Sequence, residues 1–186
     1  DASFSMLGTI VMAIIKRTDT GDWHIWHKDL TAGYNLRFST AAESNTAAYA
    51  SVSGTTVTLD AAAATGTYIV YAFAHDTASA GNIQCGAYTG NSSATGPVVT
   101  LGWQPQFLMV KRVSGGAASW IVWDSARSGS NPRQTIVEPD TNNAEVTNSF
   151  YDMDFTATGF QPKSSGSNFN SSGDPFAYIA IRAEGA

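Results

Sequence analysis

Ile14-Ile15-Lys16-Arg17 followed by Trp23-His24-Ile25-Trp26 returns later in the chain as Met109-Val110-Lys111-Arg112 followed by Trp120-Ile121-Val122-Trp123. Such an echo makes the chain a duplicated β unit, and a repeat missed here would misread the whole fold. The units correspond again where each closes. There Tyr68-Ile69-Val70-Tyr71-Ala72-Phe73-Ala74-His75 matches Ala177-Tyr178-Ile179-Ala180-Ile181-Arg182-Ala183-Glu184. Lys111 follows Lys16 by 95 residues and Ala183 follows Ala74 by 109, so the second unit carries the longer loops. A period of about one hundred exceeds that of solenoids and propellers. Two packed sheets, or two pseudo-equivalent halves of one sandwich, fit it better.

Within each unit the motif reads as a hairpin. Residues 10–17 are apolar and rich in β-branched side chains, Thr18-Asp19-Thr20-Gly21-Asp22 supplies a turn, and residues 23–28 return. Residues 107–113, the turn Ser114-Gly115-Gly116-Ala117-Ala118 and residues 119–124 repeat the arrangement. Two Trp three apart fall on opposite faces of a regular strand, so either both faces are covered or a bulge lies between them. Further strands are predicted at residues 34–39, 55–60, 68–75, 96–101, 135–138, 150–155 and 177–182, separated by Gly- and Ser-rich turns such as 78–82, 90–93 and 164–168. Helix is slight: residues 61–64 are four alanines closed by Thr65-Gly66, too few to nucleate one. The fold class expected is therefore all-β, a jelly-roll-like β-sandwich built from two pseudo-repeated halves. It forms a single domain over 1–186, with halves of about 1–81 and 82–186. The middle stretch, 82–103, is aromatic and β-branched rather than linker-like, so the halves are expected to share a core.

Composition narrows the function. A chain of 186 residues buries roughly 70 % of its unfolded surface and needs no staples. Only 13 % of residues are charged, against about a quarter in ordinary domains; Ser, Thr, Asn, Gly and Ala take their place. That surface favours copies of itself or neutral, hydroxyl-rich ligands. A net charge of −5 without a basic run excludes nucleic acid as a partner. Cys85 is the sole cysteine, which leaves no internal disulfide and reads as a small buried hydrophobe. The sequence begins at Asp1 without an initiator Met or signal pattern and reads as a processed or excised piece. Residues 6–15 are its most apolar stretch, far short of a span of about 20 residues, so no membrane insertion is expected and a buried strand explains them.

The middle and second unit carry a resemblance. Tyr88-Thr89-Gly90-Asn91-Ser92 leads to Gly96-Pro97, then to Gly102-Trp103-Gln104-Pro105-Gln106-Phe107 and Val110-Lys111-Arg112, followed by Trp120-Ile121-Val122-Trp123-Asp124-Ser125-Ala126-Arg127. With the close, Thr158-Gly159-Phe160 through Ser172-Gly173-Asp174 to Tyr178-Ile179-Ala180-Ile181-Arg182, this resembles a β-rich domain recurring in tail fibre and virion structural proteins of tailed bacteriophages. The resemblance implies a virion module in a long modular chain, without enzymatic activity and with no catalytic residues to carry over. The first unit departs from the pattern, because no Tyr-Thr-Gly-Asn strand precedes its Lys-Arg hairpin. That strand is either cut away from this sequence or supplied by another chain, and the sheet edge at residues 10–17 is expected to be the one left open for assembly.

Candidate chemistry is sparse. Asp19, Asp22, His24, His27 and Asp29 are the densest set of metal-ligand types, but His24 and His27 point to opposite faces of a strand and the second unit has Ile121 and Asp124 in their places. No metal is expected. Asp152 with Asp154, and Glu138 with Asp140, place carboxylates on one strand face as a glycosidase needs, or as Ca²⁺ could use. No nucleophile elbow or triad accompanies them, so the chain is expected to be no enzyme and to need no cofactor. Trp23, Trp26, Trp120 and Trp123 read as core, and Trp103 less firmly so. Surface binding candidates are Tyr34, Asn131, Asn142, Asn143, Tyr151 and Asn168, in or beside polar loops. The expected partners are copies of the chain or other virion proteins, with a host surface glycan as a further contact. The alternative is a carbohydrate-binding module or glycan depolymerase.

Overall fold

The computed structural model describes residues 3–5, 8–39, 41–43, 49–60, 63, 65–75 and 81–183. The first unit holds β1 (Ser3–Ser5), β2 (Ile10–Arg17), β3 (Trp23–His27), β4 (Leu36–Arg37), β5 (Ala50–Ser53), β6 (Thr56–Leu59) and β7 (Tyr68–Ala74). After β8 (Ile83–Thr89) the second unit holds β9 (Val99–Thr100), β10 (Pro105–Arg112), β11 (Ile121–Asp124), β12 (Thr135–Ile136) and β13 (Val146–Thr147). It ends with β14 (Met153–Thr156), β15 (Gly159–Pro162), the one-turn helix α1 (Ser167–Asn170) and β16 (Pro175–Arg182). Strands make up 46 % of the described residues, in antiparallel sheets, so the fold is all-β.

The two units share the pairing of their three central strands. In the first, β2 lies between β3 and β7; in the second, β10 lies between β11 and β16. Ala13 faces Trp26 as Leu108 faces Trp123, and Ile14 faces Ile25 as Met109 faces Val122. On the other edge Arg17 faces Tyr68 as Arg112 faces Phe176, and a register shift falls between Ile10 and Met12 in one unit and between Pro105 and Phe107 in the other. The outer hairpins correspond as well: β5 with β6 is joined by β1, and β14 with β15 is joined by β9. One correction to the sequence alignment follows. Tyr68 corresponds to Phe176, 108 residues on, and not to Ala177. β16 is buried on both faces, so no polar alternation in the sequence fixes its register.

Burial explains why the strands alternate as they do. Met12, Ile25 and Leu36 of the sheet β4-β3-β2-β7 pack against Met109, Val122 and Ile179 of the sheet β11-β10-β16-β8 and against Trp120 just before β11, forming a central core. The opposite faces carry Ala13 and Ile15 against Val57 on one side, and Leu108, Val110 and Trp123 against Phe155 and Phe160 on the other. The sandwich is thus four sheets deep, with β1-β6-β5 and β14-β15-β9 outermost. Bonds across the central core tie the halves together: Trp120 Nε1 donates to Arg37 O at 2.7 Å, and Lys111 Nζ donates to Ser39 O at 2.9 Å.

Several local expectations change. The open edge does not lie at residues 10–17, because β2 is flanked on both sides; among the described residues the sheet's edge strands are β4 and β7. Trp23 is not core: it is 38 % exposed, whereas its counterpart Trp120 is buried. Trp103 and Trp123 are buried and Trp26 is half-buried. A single 3-10 turn at Ser149–Tyr151 replaces the start of the strand expected at 150–155. Residues 61, 62 and 64 of the alanine run, residues 78–80 of the turn cluster, Met6 and Leu7 of the apolar stretch, and Glu184 lie outside the described residues.

Candidate functional site

The candidate site is a cleft of about 310 Å³ in the first unit, at the end of β3. Trp26 forms one wall, the loop through Lys28 and Thr31 a second, and Ser51 with Asp60 from the β5–β6 hairpin the third. Alternation along β3 places Trp26 here, because its neighbours Ile25 and His27 turn into the central core. Ser51 Oγ and Asp60 Oδ1 lie 3.4 Å apart, and Thr31 is held by Glu43, whose carboxylate accepts from the Thr31 hydroxyl at 2.7 Å and from its N–H at 2.9 Å. An aromatic wall here faces hydroxyl side chains, a lysine and a carboxylate, an arrangement able to stack a flat ring face and to bond polar groups at its rim.

The corresponding place in the second unit is filled. Phe169 of α1 stands edge-on to Trp123, ring centres 5.2 Å apart, and Trp123 Nε1 donates to Tyr151 O at 2.8 Å. The cover comes from the connection between β15 and β16, which at residues 163–174 is four residues longer than that between β6 and β7 at 60–67. Tyr88-Thr89-Gly90-Asn91 secures it. Tyr88 donates its hydroxyl to Phe169 O at 2.6 Å, the Asn91 N–H donates to Asn170 Oδ1 at 3.0 Å, and Gly90 approaches so closely that a Cβ there would stand 2.2 Å from Ser171 O.

The residues singled out for chemistry are put to structural use. His24 stacks flat on Tyr49 at 3.5 Å, while His27 accepts the Asp29 N–H at Nδ1 and turns Nε2 toward Tyr178 O at 3.2 Å. Burial pushes both imidazoles down to about 4, so each is neutral near pH 7. Asp19 pairs with Arg17, Asp22 with Arg37 and Asp29 with Lys28. Among the described residues no three His, Cys, Asp or Glu side chains converge as a metal site would require. Asp152 accepts from Gln134 Nε2 at 2.8 Å, Glu138 from Asn143 Nδ2 at 3.0 Å, and Asp140 from the Trp120 N–H at 3.1 Å. Burial pushes the Lys111 ammonium down to about 8 and raises the Asp140 carboxyl above its usual range. Burial likewise lifts the Cys85 thiol to about 12.

The six loop candidates do not form one site. Tyr34 bonds its N–H to Thr31 O and so borders the cleft loop. Asn131 locks Phe155 by accepting its N–H and donating to its C=O, both at 2.9 Å, and Asn143 braces a turn. Tyr151 stacks on Phe169 and Asn168 lies beside it in α1, both serving the cover over Trp123, while Asn142 stays exposed. Sequence reasoning passed over Trp26, Lys28, Thr31, Ser51 and Asp60 as a set. The one available signal was the shorter β6–β7 connection of the first unit.

Fold and site together define an all-β domain of two like units, one covered and one carrying a cleft. Residues 3–185 match the family described as Domain of unknown function (DUF7483), and the chain belongs to it. No curated protein and no solved structure matches the chain.

Proposed function

We propose that the chain is a non-enzymatic structural module of a tailed-phage particle, a fibre or spike segment. Its neighbours on this reading are copies of itself and other virion proteins. The observation that supports it most is the fate of the reactive side chains. His24, His27, Lys111 and Asp140 are engaged in ring stacking or in bonds to backbone groups, which leaves them to hold sheets together. The cleft beside Trp26 favours one added role, contact with a glycan of the host surface, since an indole with hydroxyls and a carboxylate around it fits a neutral sugar.

Incubation with a panel of bacterial surface polysaccharides tests both parts. The expected result is retention of one polysaccharide, weakened by Trp26→Ala, without release of reducing ends. Release of oligosaccharide that disappears in Asp152→Asn or Asp154→Asn would replace this reading with a depolymerase.

A further inference from the structure

In the second unit the closing strand β16 does not end its sheet. β8 runs antiparallel along its outer edge over seven paired positions, from Thr89 opposite Pro175 to Ile83 opposite Ile181. β7 is the counterpart of β16, with the same register on its inner side, and among the described residues no strand pairs with its outer side. The face beside that edge is half-exposed as well. Ile69 and Tyr71 are 48 % and 50 % exposed, with Trp23 stacked on Tyr71 at 6.3 Å, whereas the corresponding Ala177, Ile179 and Trp120 are buried. Edge strands ordinarily block pairing with charges, prolines or bulges. β7, Tyr-Ile-Val-Tyr-Ala-Phe-Ala, carries no charged residue and no proline over its seven residues.

We propose that the outer edge of β7 is an acceptor site for one further antiparallel strand, donated by a partner polypeptide and composed like β8. The incoming strand is uncharged and sets small or aliphatic side chains beside Ile69, Tyr71 and Phe73, as Ala87, Cys85 and Ile83 sit beside Ala177, Ile179 and Ile181. Main-chain bonds supply the affinity and the exposed apolar face adds burial, the mode of recognition by strand addition. The backbone orientation is set by the second unit. Cys85 donates its N–H to the His75 ring at 3.2 Å, away from β16, so the N–H groups of Gln84, Gly86 and Tyr88 face β16. By the shared register, Val70 and Ala72 present their backbone groups to the incoming strand as Tyr178 and Ala180 do to β8. This site follows from paired registers and does not depend on the chain's place in a particle.

A synthetic peptide of residues 82–91 carrying Cys85→Ala is the probe, added to the 186-residue chain. Binding is read by calorimetry and by amide exchange. The peptide is expected to bind and to slow exchange at Val70 and Ala72 by about tenfold or more. N-methylation at Gly86 and Tyr88 removes the N–H groups that face the acceptor and is expected to abolish binding. N-methylation at Ile83 and Ala87, whose N–H groups point away, leaves binding within about threefold. No binding, equal binding of the two methylated peptides, or a chain that closes the β7 edge by pairing with a second copy of itself would each overturn the proposal.

Discussion

Trp26 and Trp123 hold the same register position in the two units, opposite Ala13 and Leu108, yet Trp123 is sealed beneath Phe169 and Trp26 lines an open cleft. Identical pairing with different cover makes the pair a direct measure of what the longer second-unit connection contributes. Trp123→Ala should destabilise the chain by about 3–5 kcal/mol, the range for emptying a large buried site. Trp26→Ala, half-buried at the cleft, should lower stability by about 1–2 kcal/mol. Urea unfolding monitored by circular dichroism gives both values, and equal losses would contradict the difference in cover.

Acid should weaken the fold through His27. Its folded-state value of about 4 lies below the ordinary 6.5, so at pH values between them the unfolded chain binds a proton that the native chain refuses. Stability is therefore intact above about pH 6.5 and falls as pH drops toward 4, by up to about 3 kcal/mol from this group. His24 acts in the same direction. Denaturant midpoints measured between pH 7.5 and 4.5 check the slope, and His27→Gln should flatten it.

Gly90→Ala should be strongly destabilising, because the new methyl would meet backbone, Ser171 O at 2.2 Å and Asn170 C at 2.7 Å, rather than a side chain able to swing away. The expected loss is about 1–3 kcal/mol. Gly129→Ala, with nothing near the added methyl, is the matched control. Thermal melts of the two variants decide it.

Lys111→Met should lower stability by about 1–3 kcal/mol, since the carbonyls of Ser39 and Ala118 lose their buried donor. The folded-state value of about 8 lies below the ordinary 10.5, so a native chain holding this lysine gains stability as pH rises between those values. Wild type should show that rise and Lys111→Met should lack it, as read by denaturant midpoints between pH 7.5 and 10.

Much of the fold was legible because it rests on alternation. The two Lys-Arg hairpins and the Trp pairs set the central strands, and their opposite-facing side chains follow from the period of a strand. The hairpin strands β5 and β15 were not seen, being four residues each, one rich in Ser and the other broken in pattern by Gly159 and Pro162. Trp23 was misplaced because strand position sets which way it points, whereas its exposure depends on how far the facing sheet extends over it. The cleft was hidden for a related reason. It arises where Thr31, Ser51 and Asp60 from distant segments meet Trp26, and among the described residues no ring covers Trp26 as Phe169 covers Trp123. The open β7 edge was half read: the absent strand was noticed in the sequence, but its place was assigned to β2 rather than to the strand that closes the unit.

The central claim is the proposal that this chain is a tailed-phage structural module, and the most direct measurement is a cryo-electron microscopy map of the particle produced by a phage that encodes it, with the particle's protein content established by mass spectrometry. The account predicts the four-layer domain as a built-in part of a fibre or spike, with an added antiparallel strand on β7 contributed by a neighbouring polypeptide. A particle that lacks the chain, or a domain seated in it with the β7 edge facing solvent in every copy, would contradict it.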